Sequence, residues 1–471
     1  MTSTSYDRVR YPSGVFAQTH PERLAISAKL HGLDPAAPSQ SRILEIGGGD
    51  SLNLISIASA WPECEAHGFD LSETAIAKGR ELVGAAGLGN VHLAVDDVRE
   101  AHDRYPAKSF DYVICHGLYS WVEPDVRKAL MALVGHVLSE NGVAILSYNC
   151  MPGGHIRMIM REMLQAEMEG IDDLEQRMAA TRRFLEQFAA GQPNDPALRT
   201  VLREQARYLL GRGNSSIFHD ELGESFHPQK LADVAAEARS CGLRYLADAA
   251  RTCNLEGFLR DDQVHSEDPD AQVLRAAVRK DYAAQHFFRQ TIFVRSSQVP
   301  DRNLEVARAS GLYLSSPLAR QQDGSFLLGQ EKVDIYSPDL ASAIERAAAN
   351  SPQRTPVSEV APTREHLHTV LQLFADWYLN LYLAPAPFAA EPGEYPETSP
   401  LARAMLAMGE QSVASLDHQL ARVDLPGVRE LLRAADGRKT IGELAGIGHG
   451  VHADKVMEVL KLAAKEALLT R

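Results

Sequence analysis

Cysteine is sparse and scattered: Cys64, Cys115, Cys150, Cys241 and Cys253, with no C-x-x-C pair among 471 residues. That spacing excludes a disulfide framework and a redox dithiol motif, and it points to free thiols in a reducing compartment. Long hydrophobic runs are missing as well. No stretch of about 20 apolar residues occurs, and the opening MTSTSYDRVRYPSG has no apolar core of signal-peptide length. Membrane insertion is therefore not expected, and the reading is a cytoplasmic protein. Positive charge is in deficit, 48 Lys+Arg against 62 Asp+Glu for a net charge of -14. A surface of that sign disfavours nucleic acid as a partner. Metal-ligand spacing is absent too: His366 and His368 point to different helix faces and His449 and His452 sit in a glycine-rich loop, so no metal is expected. No Ser-His-Asp arrangement can be inferred, because such triads are spatial.

What is present organises the chain from residue 42 onward. RILEIGGGDSLNLISI (42–57) reads as a strand (Ile43, Leu44, Ile46), a glycine turn (Gly47-Gly48-Gly49) and a helix with apolar spacing. The glycines let backbone amides approach a ligand, and the helix N-terminus behind them favours electron-rich groups. Glu45, just ahead of the turn, would repel a pyrophosphate. It suits a cationic ligand such as the ammonium of a methionine moiety.

Further strands follow at 65–69, 91–95, 111–115 and 143–147, with helical stretches before the first, second and last of them. This alternation predicts a parallel, doubly wound α/β sheet with ligands at the carboxyl ends of its strands. Asp70, Asp96, Asp97 and His116 all fall at such ends, and Asp70 lies at the spacing where an acid meets ribose hydroxyls. Strand-like stretches at 243–246 and 290–295 bring the sheet to seven. The helical, Met-rich segment of about 155–225 (Met158, Met160, Met163, Met168, Met178) then becomes an insertion that roofs the site, its methionines read as core packing.

At this length two or three domains are expected. The boundaries read as 1–297 for the sheet and 298–471 for a C-terminal α+β domain. Gly311 to Leu314 and Ser325 to Leu328, with Asp323-Gly324 between, predict a hairpin. The proline-rich stretch 384–400 reads as a linker or extended wrap. DLASAIERAAANSPQRTPVSEV and GVRELLRAADGRKTIGELA each precede a long helix in a winged-helix-like order. Neither long helix carries a basic stripe, so a protein-binding or regulatory role is read for them rather than DNA binding.

The stretch ILEIGGGDS, with Asp70 and Asp96-Asp97, resembles the class I S-adenosylmethionine-dependent methyltransferases, whose pattern is acid-x-Gly-x-Gly-x-Gly. Glu45, Gly47 and Gly49 match, and Ser51 replaces the last glycine. The resemblance implies a Rossmann-like seven-stranded domain that binds S-adenosyl-L-methionine. Glu45 would lie near the methionine amino end, Asp70 on the ribose, and Asp97 with Val98 around adenine, Asp96 being the alternative there. Tyr11, Asn53, Leu71 and His116 complete the implied cofactor set. SYDRVRYPSGVFAQTHPERLA, DYVICHGLYSWVEPDVR, SYNCMPGG, IFHDELGE, GLRYLADA and HFFRQTIFVR narrow the likeness. They are similar to bacterial methyltransferases with a regulatory domain, including rickettsial protein-lysine methyltransferases acting on outer-membrane proteins. One departure concerns the acceptor pocket: Gly154 stands where that likeness leads one to expect Trp.

Methyl transfer from a sulfonium is an in-line displacement that needs an unprotonated acceptor held in place with water excluded. Tyr119, Tyr148 and Trp121 are aromatic faces for an ammonium or sulfonium, although Trp121 is read chiefly as packing. Asn149 and the tyrosine hydroxyls would orient the amine, and His116 would touch cofactor or relay a proton. Tyr119, Tyr148, Asn149 and His116 are thus the catalytic candidates. The expected partner is a protein or peptide bearing an amine, with a homodimer also entertained. A small-molecule or ribosomal-peptide acceptor, or a non-catalytic binding module, are the alternatives.

Overall fold

The computed structural model describes residues 12–190, 196–223, 225–249, 268–447 and 455–470. Seven strands form one sheet: β1 (Arg42–Ile46), β2 (Glu65–Asp70), β3 (Val91–Val95), β4 (Phe110–Cys115), β5 (Leu138–Asn149), β6 (Leu243–Asp248) and β7 (Phe288–Arg295). Their order is β3-β2-β1-β4-β5-β7-β6. The first five strands are parallel, and β7 runs antiparallel between β5 and β6. The chain reverses at β1, so the strands' carboxyl ends open a crevice there.

Local chemistry accounts for the helices around the sheet. α1 (Pro21–Leu30) starts with proline at its first position, where a missing N–H is harmless. α2 (Leu52–Ala60) follows the glycine turn. α3 (Glu73–Ala86) is capped by the Ser72 hydroxyl, which accepts from Ala75 N, and it ends at a left-handed Gly87. α4 (Pro124–Val137) again opens on proline. An insertion of α5 (Gly154–Glu167), α6 (Leu174–Ala190), α7 (Ala197–Leu210) and α8 (Asn214–Leu222) follows β5, with its own apolar core of Met160, Leu164, Met168, Met178 and Leu185. Met160, Met163, Met168 and Met178 pack there, as read from the sequence. α9 (Leu231–Ser240) and α10 (Pro269–Ala284) flank β6 and complete the sheet's helices.

Strand parity sorts the interior into two layers. Leu44, Ile46, Val113, Cys115, Leu146 and Tyr148 pack on one face against α4 and α9. Ile43, Tyr112, Ile114, Val143 and Ile145 pack on the other with α1 and α2. That second layer does not stop at the sheet. It continues through Leu401, Met405, Leu431, Leu460 and Leu469 of the C-terminal segment.

The C-terminal half contains two similar units. In the first, β8 (Tyr313–Ser315) pairs with β12 (Thr355–Pro356) and β13 (Asn380–Tyr382), with helices α11 (Pro338–Asn350), α12 (Val357–Val360) and α13 (Arg364–Ala375). In the second, Glu397 and Thr398 bridge to Asp436 and Leu469, with α14 (Pro400–Ala407) after them and then α15 (Pro426–Ala434), α16 (Ile441–Leu444) and α17 (Val456–Lys465). Both run helix, extended pair, short helix, long helix, extended pair. The expected hairpin is corrected. β8 and β10 (Phe326–Leu328) lie in different sheets, because the Asp323-Gly324 turn joins β10 to β9 (Ala319–Arg320) instead. β11 (Glu331–Val333) closes that smaller sheet on the other side of β10. The proline-rich stretch is a wrap: Phe388 is buried with Leu416 and Ala467, and Ala389 N donates to Leu469 O at 3.0 Å.

Candidate active site

At the end of β1 the backbone turns through Gly47 (φ 69) and Gly49 (φ 61), both left-handed. Ser51, in place of the pattern's third glycine, is left-handed too at φ 55. That is why glycine suits the position: a side chain there costs roughly 1 kcal/mol. Gly48 is required for a different reason. A Cβ on it would lie 2.4 Å from Glu45 Oε2.

Glu45 sits on the α2 side of the sheet and is buried. Its Oε1 accepts from Asn53 Nδ2 at 2.8 Å, while the buried Oε2 has no hydrogen-bond partner. Burial pushes its carboxyl up to about 7; the Asn53 bond and the Leu54 backbone N–H oppose this, and Asp50 and Asp70 add to it. A buried, half-satisfied carboxylate against a glycine turn is a receptor for a cation. The residues therefore fit the methionine ammonium of a sulfonium nucleoside.

Asp70, at the end of β2, is held rigidly: Oδ2 accepts from Gly49 N and Oδ1 from Ser72 N, each at 2.8 Å. It ties the glycine turn to α3. Leu71 beside it is half exposed. Past β3, the two acids take different parts. Asp96 is buried and bound to Arg104 at 2.6 Å. Asp97 is gripped by Arg99, whose hydrogen bond holds its carboxyl below the usual range. Val98 is buried in the core against Phe69 and Tyr105.

His116, after β4, has the parity of Glu45 and stacks on Phe16 with ring centroids 4.3 Å apart. Burial lowers its pKa to about 4, so the ring is neutral, and its Nδ1 has no partner. Ser147 and Asn149 on β5 share this face. Ser147 Oγ accepts from Gly117 N at 2.8 Å, and the Asn149 backbone is pinned by Ser120 and Gln229. Phe16 comes from the segment before α1, whose Phe16 N donates to Asn53 Oδ1 at 2.9 Å. Tyr11 lies outside the described residues.

Tyr119 and Tyr148 are placed differently from the reading as acceptor contacts. Both are buried in the opposite layer, rings 6.0 Å apart. The Tyr119 hydroxyl donates to Glu237 at 2.6 Å, and that of Tyr148 bonds Thr291 at 3.0 Å. Burial raises both phenols above their ordinary range, Glu237 adding to it at Tyr119. Strand geometry is the reason: Tyr148 and Asn149 are neighbours on β5 and must face opposite sides. Trp121 packs on Phe226 at 4.9 Å, its face covered by Arg157 and Arg161. Gly154 is close-packed, since a Cβ there would meet Pro228 at 2.7 Å, so no tryptophan fits.

Among the described residues, one trio has metal-ligand atoms within reach of one another: Glu65, His67 and His92, within 4.8 Å. It lies toward the starts of β2 and β3, away from the crevice, and Arg42 pairs with Glu65 at 3.0 Å. His366 bonds Ser337, and His449 and His452 lie outside the described residues. No helix among the described residues is long and apolar enough to cross a membrane.

Sheet order, glycine turn and buried acid together define a class I, Rossmann-like methyltransferase domain. Residues 43–142 match the family described as "Methyltransferase domain", and residues 213–295 match "Predicted methyltransferase regulatory domain". The latter span carries β6 and β7, so it completes the sheet. The uncharacterized protein RP028 of Rickettsia prowazekii is 32% identical over 221 residues, 47% of this chain and 88% of that protein. The uncharacterized protein sll1526 of Synechocystis is 25% identical over 352 residues, 72% of this chain and 68% of that one. PKMT2 from Rickettsia typhi, solved alone and in complex with AdoHcy, has the same fold: TM-score 0.81, 20% identity, 98% of this chain and 100% of that one. The chain belongs to the S-adenosylmethionine-dependent methyltransferases that carry a methyltransferase regulatory domain.

Proposed function

We propose that this chain methylates a protein or peptide amine, with lysine Nε as the acceptor, and that the crevice at β1 holds the methyl donor. Glu45 accepts the ammonium of the methionine end, Asp70 the ribose hydroxyls, and Val98 with the backbone at Asp97 borders the adenine. S-adenosylmethionine, when bound, supplies an electrophilic methyl group. The protein must then present an unprotonated amine, whose ordinary pKa is about 10.4. Its nitrogen lone pair forms the new N–C bond as the S–C bond breaks, and a proton leaves the nitrogen. On the cofactor face, Asn149 orients the amine and the neutral His116 ring, with its unpartnered Nδ1, accepts a hydrogen bond from it, while the proton itself passes to solvent.

The observation that carries the reading is the buried Glu45 carboxylate with an unpartnered oxygen at the glycine turn. Similarity of the N-terminal, post-β4 and post-β5 stretches to rickettsial protein-lysine methyltransferases supports the acceptor class. Incubating the purified chain with methyl-labelled S-adenosylmethionine and bacterial lysate tests it. Label should appear in protein bands and hydrolyse to methylated lysine. Label found only in extractable small molecules would replace the acceptor class, and none anywhere would remove the activity. Within the site, Asn149→Ala should cut turnover about 10²-fold with little change in cofactor affinity. Tyr148→Phe should change turnover less than about threefold, since its hydroxyl serves Thr291. Steady-state kinetics with calorimetry separates the two.

A further inference from the structure

The C-terminal half meets the cofactor crevice through three polar links, and each ends on an element that builds it. The first starts at the tight hairpin of β14 (Ser412–Ala414) and β15 (Leu420–Arg422), whose left-handed His418 (φ 55) projects from the turn. His418 Nε2 lies 3.1 Å from Asn53 Oδ1, and Nδ1 lies 3.0 Å from Ser56 Oγ. Asn53 Oδ1 can only accept, so Nε2 carries the proton and Nδ1 accepts from Ser56. Asn53 in turn spends its amide hydrogens on Glu45 Oε1 at 2.8 Å and Thr19 Oγ1 at 3.0 Å. The second link is Glu410 to Lys78 at 3.4 Å and Lys78 to Asp50 at 3.1 Å, the acid that follows the glycines. The third is Arg354, buried between Glu22 of α1 and Asp417 beside His418.

We propose that His418 is a positioning residue for the methyl donor: through Asn53 it aims the Glu45 carboxylate, so the C-terminal half sets cofactor affinity. An amide can turn over to exchange its oxygen and nitrogen. Phe16 N and His418 Nε2 both donate to Oδ1, and together they lock the orientation that keeps Nδ2 on Glu45. Thr19 Oγ1 also lies 3.3 Å from Oδ1, but its hydroxyl accepts from Nδ2 and reaches Phe16 O at 2.8 Å, so without the imidazole a main lock goes and Glu45 loses part of its restraint. His418 is buried, with the tilted His20 ring 4.9 Å away and Trp61 4.6 Å from His20. Loss of this bond would therefore leave a buried acceptor unpaired.

The inference rests on Glu45 being the ammonium receptor, and the test separates the two. S-adenosylmethionine affinity is measured by calorimetry on the full chain for wild type, Glu45→Gln, Asn53→Ala, His418→Leu, His418→Gln, Ser56→Ala and the double Asn53→Ala/His418→Leu. His418→Leu should weaken binding about fivefold to tenfold, the size of one buried hydrogen bond. It should raise KM for S-adenosylmethionine and leave kcat at saturation unchanged. His418→Gln, which keeps a donor and an acceptor, should recover most of the loss. The double variant should bind no more weakly than Asn53→Ala alone. Leu460→Ala, in the distant part of the shared core, should lower the melting temperature without moving affinity. Should His418→Leu not fold, Ser56→Ala reads the same link and should weaken binding about twofold to threefold. Wild-type affinity in His418→Leu, additivity in the double variant, or an equal loss in Leu460→Ala overturns the inference. Unchanged affinity in Glu45→Gln overturns the underlying assignment instead.

Discussion

Glu45 carries two opposite pH dependences, and their signs can be worked out. Its native carboxyl is pushed up to about 7 by burial, whereas an unfolded glutamate titrates near 4.3. The native state therefore holds the proton more tightly, so this group's contribution to stability is complete below the unfolded value and is lost as pH rises to 7. The difference is roughly 4 kcal/mol. Binding of a cation runs the other way, since only the ionised form attracts it. Cofactor affinity should rise as pH climbs from 6 through 7 and fall again once the ligand's own α-ammonium loses its proton, near pH 8. Glu45→Gln should flatten both the melting-temperature profile and the rise in affinity. Asp50 and Asp70 face the same group, so a slope persisting in that variant would reassign it to them. Ser51→Gly should raise stability by about 0.5–1 kcal/mol, because the left-handed backbone there suits glycine. A denaturant midpoint that did not move would mean the strain is relieved elsewhere.

At the scale of elements, the crevice depends on how closely α3 approaches the glycine turn. A Cβ on Gly79 would lie 2.5 Å from Asp50 O and 2.8 Å from Leu93 Cδ1. Alanine favours a helix by up to about 1 kcal/mol over glycine, but a backbone carbonyl cannot step aside. Gly79→Ala should therefore destabilise by about 1–3 kcal/mol and weaken cofactor binding together, because Ser72 and Asp70 move with α3. Loss of stability with intact affinity would show that the turn is held from β1 alone. β5 teaches a related lesson about legibility. SYN could be read as a run of polar contacts, but as a strand it divides them, Ser147 and Asn149 to the crevice and Tyr148 to the core. That division was open to period-two reasoning once residues 143–147 were extended by two, so the miss lies in strand length and not in missing information.

For the whole molecule, the shared core is the decisive feature. Leu401 to Leu469 of the C-terminal segment bury against the same layer as α1, α2 and α3, and Arg354 lies buried between Glu22 and Asp417. Burial raises both carboxyls above their usual range, and Arg354 draws them back. Arg354→Ala would strand two buried acids and should destabilise by about 3–5 kcal/mol. The three tryptophans report separately: Trp61 near α1, Trp121 beneath the insertion, and Trp377 under Arg23. Because apolar surface passes between the halves, fluorescence and circular dichroism should show one coincident transition. A fragment ending at residue 297 should fail to bind S-adenosylmethionine. Two resolved transitions, or a competent fragment, would separate the halves.

Strand count, glycine turn, acid ends and helical insertion were all legible in the residues, because alternating apolar periods and glycine-bearing turns are local signals that survive without tertiary context. Tertiary structure alone decided which face each strand residue takes at the crevice, that Phe16 and His418 reach Asn53, and that the C-terminal segment completes the sheet's second layer. His418 and Asn53 are 365 positions apart. Nothing short of folding brings a lone histidine in a hairpin to the back of a cofactor helix, because such a contact leaves no periodicity in the chain that carries it.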